Sequence, residues 1–166
     1  MAIVFAAGVG QVVQTVVLTT NMNSGIAANA SSPTATGIVA QITPKQTGSD
    51  FIITVAGFNQ HNNSSATNRG IKLYMYAQVN GSGGYSNVLN DFAVSSHVTV
   101  SWVDFPSEYT VYCPNSACSY TAGQYVQFQP YYSQGDDNST STNYFHHTGG
   151  SGNGAQMQTI IQEVAS

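Results

Sequence analysis

Hydrophobic and polar residues alternate with a period of two along most of the chain, and hardly any window shows the 3.6-residue period of an amphipathic helix. Between residues 71 and 79 every second residue is apolar, and Lys72, Tyr74, Tyr76 and Gln78 occupy the positions between them. We therefore expect a strand with one face in the core and an outer face that is polar and aromatic.

The same pattern predicts eight strands separated by segments rich in turn residues. They cover residues 11–20, 37–42, 51–58, 71–79, 97–103, 109–113, 124–132 and 157–164. Alternation places Val98, Val100 and Trp102 on an inward face of the fifth strand, and Ile160 and Val164 on the inward face of the last. Eight such strands favour an all-β fold, an antiparallel β-sandwich that is jelly-roll-like and forms a single domain over residues 10–166.

The segments between the strands include three long ones, residues 21–36, 60–69 and 133–154, which are rich in Asn, Ser, Thr and Gly. Connections of this length in a compact domain are usually either functional or held by a partner, although solvated loops without a role remain an alternative. Asn80 and Gly81 follow the fourth predicted strand and indicate a tight hairpin there.

The first nine residues are apolar apart from their glycine. They lack the positive charge that opens a signal peptide, and the run at 2–7 is too short to cross a bilayer, so we expect no membrane span. Residues 1–9 are either the first strand of the chain's own core or a segment that contacts a partner or a neighbouring subunit.

The chain carries few charges. Its 166 residues include three basic and seven acidic ones, so charged residues make up 6% of the total against about 25% in an ordinary soluble domain. Three cations cannot form the basic patch that phosphate binding requires, which excludes a nucleic-acid partner. Asn, Gln, Ser and Thr together supply 62 residues, so neutral groups must solvate the surface.

Two cysteines, Cys113 and Cys118, are separated by four residues. A disulfide between them would close a very small loop and stabilise the protein by about 2 kcal/mol. The alternatives are two free thiols or, less in keeping with the single pair, a metal site, because structural zinc needs four ligands. Cys113 and Cys118 are therefore disulfide candidates.

Metal and cofactor binding have little support in the sequence. His146 and His147 lie near Asp136 and Asp137, but adjacent residues of a strand point to opposite faces, so both imidazoles cannot reach one ion from regular structure. The segment at 136–140 offers oxygen ligands for calcium without the spacing of a calcium-binding loop. We expect no metal site and no cofactor.

No constellation of catalytic residues is evident either. The chain lacks a Gly-x-Ser-x-Gly motif, and no histidine lies close to either cysteine in the sequence. Asp104 and Glu108 form a close carboxylate pair, but they flank Phe105-Pro-Ser, which indicates a turn that the carboxylates cap. We expect that the protein is not an enzyme.

Ten tyrosines accompany a single tryptophan. Tyrosine has a flat apolar ring and a polar tip, which suits subunit interfaces and the faces of sugars. Tyr74 and Tyr76 are expected side by side on the outer face of their strand. Subunit packing, a glycan-binding platform and simple β-propensity all remain open as explanations.

Several short motifs together resemble a bacteriophage domain of the marine and cyanophage type that occurs in fibre and capsid decoration proteins. They are Gly10-Gln-Val-Val-Gln14, Ile42-Thr-Pro44 running into Phe51-Ile-Ile-Thr-Val55, Asp104-Phe-Pro106 before Tyr109-Thr-Val111, and Thr159-Ile-Ile-Gln-Glu-Val164. The resemblance spans nearly the whole chain. It implies an all-β, jelly-roll-like domain that assembles as trimers on the surface of the virion.

The resemblance leads to one main hypothesis and one rival. In the first, the chain is a homotrimeric decoration or cement protein that stabilises the shell by contacts with itself, the major capsid protein or other virion proteins. Its contact candidates are Ile3, Val4, Phe5, Tyr74 and Tyr76. In the rival hypothesis the chain is a receptor-binding fibre tip that recognises glycans on the host surface. Its receptor-loop candidates are His61, Asn62, Asn63, Tyr131, Tyr144, His146 and His147.

Overall fold

A computed structural model gives the fold of the chain. It describes residues 10–22, 26–28, 32–62, 69–96, 103–121, 123–134, 142–145 and 155–166. The N-terminal segment 1–9, the face of Val98, Val100 and Trp102, and the acidic pair at 136 and 137 lie outside the described residues.

The described residues form eleven strands and one turn of 3-10 helix. The strands are β1 (Val12–Met22), β2 (Ile26–Ala28), β3 (Thr34–Ala35), β4 (Ala40–Ile42), β5 (Asp50–Asn62), β6 (Arg69–Val79), β7 (Ser82–Ser96), β8 (Val103–Cys113), β9 (Val126–Gln134), β10 (Thr142–Phe145) and β11 (Ala155–Val164); the 3-10 turn is Asn115–Ala117. Every pairing between strands is antiparallel.

The strands form two sheets, each four strands wide. In the six-stranded large sheet the order is β1, β11, β5 and β8, while β2 and β10 continue the lines of β1 and β11 past the end of their pairing. In the five-stranded small sheet, β3 and β4 pair one after the other with β9, which pairs with β6, which in turn pairs with β7.

The pairings are nested like those of one long hairpin. The first strand pairs with the last (β1 with β11), and the second pairs with the second-last (β2 with β10). Then follow β3 and β4 with β9, β5 with β8, and β6 with β7. Rolling such a hairpin into two sheets gives a jelly roll. The expected all-β, antiparallel, jelly-roll-like sandwich is confirmed.

The core lies between the two sheets and is built by alternation along each strand. In β6, Leu73, Met75 and Ala77 are buried, whereas Tyr74 and Tyr76 are half-buried on the outer face, as expected. Phe51 of the large sheet meets Phe128 of the small sheet edge to face, with ring centroids 5.3 Å apart. Aromatic contact across the sandwich therefore anchors one sheet to the other.

The hairpin expected at Asn80 and Gly81 is confirmed. Both residues have positive φ, 53° and 62°, as a two-residue turn between β6 and β7 requires. An added Cβ at Gly81 would lie 2.8 Å from the hydroxyl of Tyr125. The backbone of Asn80 donates to Tyr125, and the Asn80 side chain accepts from the Tyr125 amide, so the hairpin is fixed to the start of β9.

Four sequence-based expectations were wrong in detail. The segment after the hairpin is strand β7, although Gly, Ser and Asn dominate its first half. The residues around Phe105, which were expected to form a turn, lie within β8. Pro106 is tolerated there because β8 is the edge strand of the sheet and pairs with β5. The long segments contain β2, β3 and β10. In β11 the inward residues include Thr159, Ile161 and Glu163, so Ile160 is on the outer face.

Candidate functional site: two contrasting sheet faces

The outer face of the large sheet is a regular array of side chains from four adjacent strands. The pairing register places them in three rows across β1, β11, β5 and β8. The rows are Thr15, Gln162, Ile52 and Tyr112; Val17, Ile160, Thr54 and Thr110; and Thr19, Gln158, Ala56 and Glu108. Threonine, glutamine and aliphatic side chains therefore dominate this surface, which we call the large face.

The large face is nearly uncharged, and it exposes two large apolar side chains. The side chains of Val17 and Tyr112 are 55% and 57% exposed, respectively. Thr54 and Thr110 share a hydrogen bond of 3.0 Å between their hydroxyls. Glu108, at one corner, is the one charged residue in the three rows. A surface of this kind can meet a copy of itself without opposing like charges.

Tyr112 is held in place at the margin of the large face. Its hydroxyl donates to Asp50 Oδ2 at 2.5 Å, and Asp50 Oδ1 accepts from the backbone of Asn115 at 2.8 Å. The hydrogen bond to Asp50 raises the pKa of Tyr112. Asp50 thus fixes an exposed aromatic ring and the turn that follows β8.

The outer face of the small sheet has a different chemistry. Tyr74 and Tyr76 of β6 share this face with Tyr131 of β9, and the rings of Tyr76 and Tyr131 are stacked with centroids 4.0 Å apart. Tyr85 of β7 approaches Tyr131 at 6.3 Å. Burial, followed by the neighbouring hydroxyls of Tyr131 and Tyr125, raises the pKa of Tyr85.

A row of three glutamines lies beside the tyrosines. The register places Gln78, Gln127 and Gln41 next to one another across β6, β9 and β4. Gln127 Nε2 donates to Gln41 Oε1 at 3.2 Å, and Gln78 Nε2 donates to the carbonyl of Gly83 at 2.7 Å. We call the tyrosines together with this row the small face.

Glu163 is a fully buried carboxylate that the sequence patterns missed. Its Oε2 accepts from Gln14 Nε2 at 2.7 Å and from the backbone amide of Lys45 at 2.9 Å, and its Oε1 accepts from the amide of Gln46 at 2.9 Å. Burial alone would raise the pKa of Glu163, but these donors outweigh it and the pKa is lowered. The sequence feature that could have indicated this burial is that Glu163 is a lone carboxylate in a mainly apolar stretch.

Three of the motifs that carry the phage resemblance meet at this carboxylate. Gln14 closes the first motif, Thr43 of the second accepts from Gln14 Nε2 at 2.8 Å, and Glu163 belongs to the last. Pro44, which follows Thr43 in the sequence, is buried. These motif residues therefore stabilise the fold.

The two cysteines lie in contact at the end of β8. Both are buried free thiols, and their Sγ atoms are 3.2 Å apart. The hydrogen bond between them, together with burial, raises the pKa of Cys113, and the same hydrogen bond lowers the pKa of Cys118. The expected proximity is present, and the disulfide itself stays a prediction.

Of the receptor-loop candidates, the strand pairing places His61 and Asn62 beside β10, which carries Tyr144, whereas Tyr131 is in the other sheet. Tyr131 lies within β9, and His61 and Asn62 end β5; Tyr144 is in β10, where it pairs with Gln60 of β5. The side chains of His61, Asn62 and Tyr144 are outside the description. The remaining candidates, Asn63, His146 and His147, and the contact candidates Ile3, Val4 and Phe5 also lie outside the described residues.

Neither a metal-binding cluster nor a membrane-spanning helix is present in the described ranges. No three His, Cys, Asp or Glu side chains there are placed to share a metal ion. No helix within those ranges is long and apolar enough to cross a membrane.

Comparison with known proteins gives weak likenesses. No family model and no curated protein matches the chain. Among solved structures, it is similar to a chain of the T13 IBDV viral particle at 11% identity and a TM-score of 0.42, over 93% of this chain and 37% of that one. This chain thus spans little more than a third of the viral-particle chain.

Two carbohydrate-binding modules show still lower similarity. One is a CBM4 protein, at 11% identity and a TM-score of 0.23, over 90% of this chain and 83% of that one. The other is the CBM22-1 xylan-binding domain of Paenibacillus barcinonensis Xyn10C, at 15% identity and a TM-score of 0.28, over 97% of this chain and 99% of that one. Likenesses at this level do not bear on function, and the jelly roll is established by the strand pairing.

Proposed function

We propose that the chain is a non-catalytic structural protein of a phage virion, a homotrimeric decoration or cement protein that uses the large face as its assembly surface. The observation that carries this proposal is the array of mainly neutral side chains across β1, β11, β5 and β8, with Val17 and Tyr112 more than half exposed. The phage resemblance of the sequence supplies the virion setting and the trimer.

The chemistry of the large face supports contact with identical or similar subunits. Threonine and glutamine carry both donors and acceptors, so each can form hydrogen bonds with whichever polar groups of a neighbouring subunit meet the face. Val17, Ile160 and Ile52 add aliphatic area that association would remove from water. Many copies held on a shell in this way would stabilise it by mass action.

A jelly roll by itself does not select this function, because capsid proteins and sugar-binding lectins share the fold. The rival role, a fibre tip that binds host glycans through loops, rests on residues of which only Tyr131 has a described side chain. Tyr131 lies on the opposite sheet from the large face. The two roles therefore predict different working surfaces.

Sedimentation of the purified chain tests the proposal. The wild type should sediment at three times the 17.5 kDa mass of one chain. Val17→Lys and Thr110→Lys place cations within the middle row and should give monomers, because removing an unpaired charge from water at the subunit contact is costly. Ser86→Lys, at an exposed position of β7, is the matched control and should remain trimeric. A monomeric wild type, or face variants that stay trimeric, would contradict the proposal.

A further inference from the structure

The small face combines stacked aromatic rings with amides. Tyr76 and Tyr131 stack at 4.0 Å, and Tyr85 adds a third ring 6.3 Å from Tyr131. Each ring is half-buried, so part of it remains open to solvent. Tyrosines fixed against one another offer flat apolar area with little conformational entropy left to lose on binding.

The glutamine row provides unused hydrogen-bonding groups next to these rings. Within the part of the chain that the structure describes, the contact between Gln127 and Gln41 uses one donor and one acceptor. Gln127 Oε1 and Gln41 Nε2 have no protein partner there, and both side chains reach the surface. A free acceptor and a free donor on neighbouring strands suit a ligand that both gives and receives hydrogen bonds.

The composition of the small face favours an uncharged ligand. From Tyr74 to Gln78 and from Gln127 to Tyr131 there is no charged residue, and Lys72 lies two positions before Tyr74. An anionic ligand would call for several cations, which the face lacks.

The small face also differs from a surface built to pack against protein. The outward residues around the stacked rings, on β6, β9 and β4, are tyrosine and glutamine, and none of them is aliphatic. Lys72 and Ser133 pair with each other two positions beyond Tyr74 and Tyr131. The aliphatic groups lie on the large face, on the other side of the sandwich. Sugars present apolar ring faces edged by hydroxyls, which is the pattern that tyrosine rings and amides complement.

From these features we propose that the small face binds an uncharged oligosaccharide, with Tyr76, Tyr85 and Tyr131 contacting sugar rings and Gln41 and Gln127 bonding hydroxyls. The proposal does not rest on the virion role, because it concerns the opposite surface and would hold for a monomer.

The test uses the full chain and defined probes: cellohexaose, xylohexaose and mannohexaose as neutral ligands, with hexagalacturonate as the anionic comparator. Affinities are measured by calorimetry, and the binding surface is mapped by amide chemical shifts in the wild type. We expect at least one neutral probe to bind more tightly than hexagalacturonate and to shift resonances of β6 and β9. Failure of all three to bind at millimolar concentration, or shifts confined to other strands, would overturn the proposal.

Substitutions on the small face test which side chains contact the oligosaccharide. Tyr85→Ala and Gln41→Ala should each weaken binding about tenfold, and Tyr112→Ala, an exposed tyrosine on the large face, is the matched control and should bind as the wild type does. Circular dichroism identifies any variant that fails to fold, and the wild-type shift map then decides the outcome. Unchanged affinity in folded Tyr85→Ala and Gln41→Ala would contradict the assignment.

Discussion

Glu163 Oε2 accepts a hydrogen bond from Gln14 Nε2 at 2.7 Å across 149 positions of sequence. The contact joins the first and last strands of the jelly roll, and the amides of Lys45 and Gln46 complete the same cluster. One buried carboxylate therefore fixes both ends of the domain and the segment between β4 and β5.

Replacing this carboxylate should destabilise the protein. Glu163→Gln keeps the shape but turns an amide NH₂ toward groups that are themselves donors, so we expect a loss of about 2 to 3 kcal/mol in the free energy of unfolding. Denaturant titration measures it. Glu108→Gln, at an exposed position, is the control and should change stability by less than about 0.5 kcal/mol. Equal effects of the two changes would refute the role given to Glu163.

The same carboxylate predicts how stability depends on pH. Its pKa in the folded protein lies below the ordinary value of 4.5, so its contribution is present above the unfolded pKa and is lost as the pH falls through the folded pKa. The stability difference between wild type and Glu163→Gln should therefore shrink progressively as the pH falls from about 6 through the folded pKa. A difference that stays constant or grows on acidification would count against this account.

Thr159 offers a stabilising substitution. Its side chain is 1% exposed, and among the described residues its hydroxyl has no hydrogen-bond partner. Thr159→Val removes that hydroxyl at nearly constant shape and should raise the free energy of unfolding by about 1 kcal/mol. Thr54→Val on the large face is the control, with a change within about 0.5 kcal/mol. A destabilised Thr159→Val would show that the hydroxyl is satisfied after all.

Cys113 and Cys118 should form a disulfide under mild oxidation. With oxidised glutathione, the Cys118 thiolate displaces one glutathione thiolate, and Cys113 then displaces the second, leaving one protein disulfide and two reduced glutathiones. Intact mass should fall by two hydrogen atoms, and the unfolding free energy should rise by about 2 kcal/mol. Cys113→Ser should stop at the mixed adduct. Two thiols that still alkylate after oxidation of the folded wild type would rule the bond out.

Strict alternation made parts of the fold predictable. β6 was found with its faces correctly assigned, because apolar residues occupy every second position from Ile71 to Val79. β7 was missed because its first half consists of residues with low β-propensity, and pairing with β6 through the Asn80 hairpin makes it a strand. Tertiary pairing overrode local preference there.

The candidate surfaces were only partly predictable for a related reason. The outward position of Tyr74 and Tyr76 followed from the period of their own strand. The stacking of Tyr76 on Tyr131 depends on the register of β6 against β9, which lie more than fifty residues apart and whose alignment the sequence does not reveal. The faces of β11 were exchanged because alternation alone does not say whether Ile160 or Ile161 is inward, and the donors that allow Glu163 to be buried come from distant segments.

The central claim is the proposal that the chain decorates a virion through its large face, and electron cryo-microscopy of phage particles that carry the chain tests it most directly. The account predicts many copies arranged as trimers at regular positions of the capsid lattice, with Val17 and Tyr112 buried in contacts. A few copies confined to the tail, or capsid-bound copies with the large face open to solvent, would contradict it.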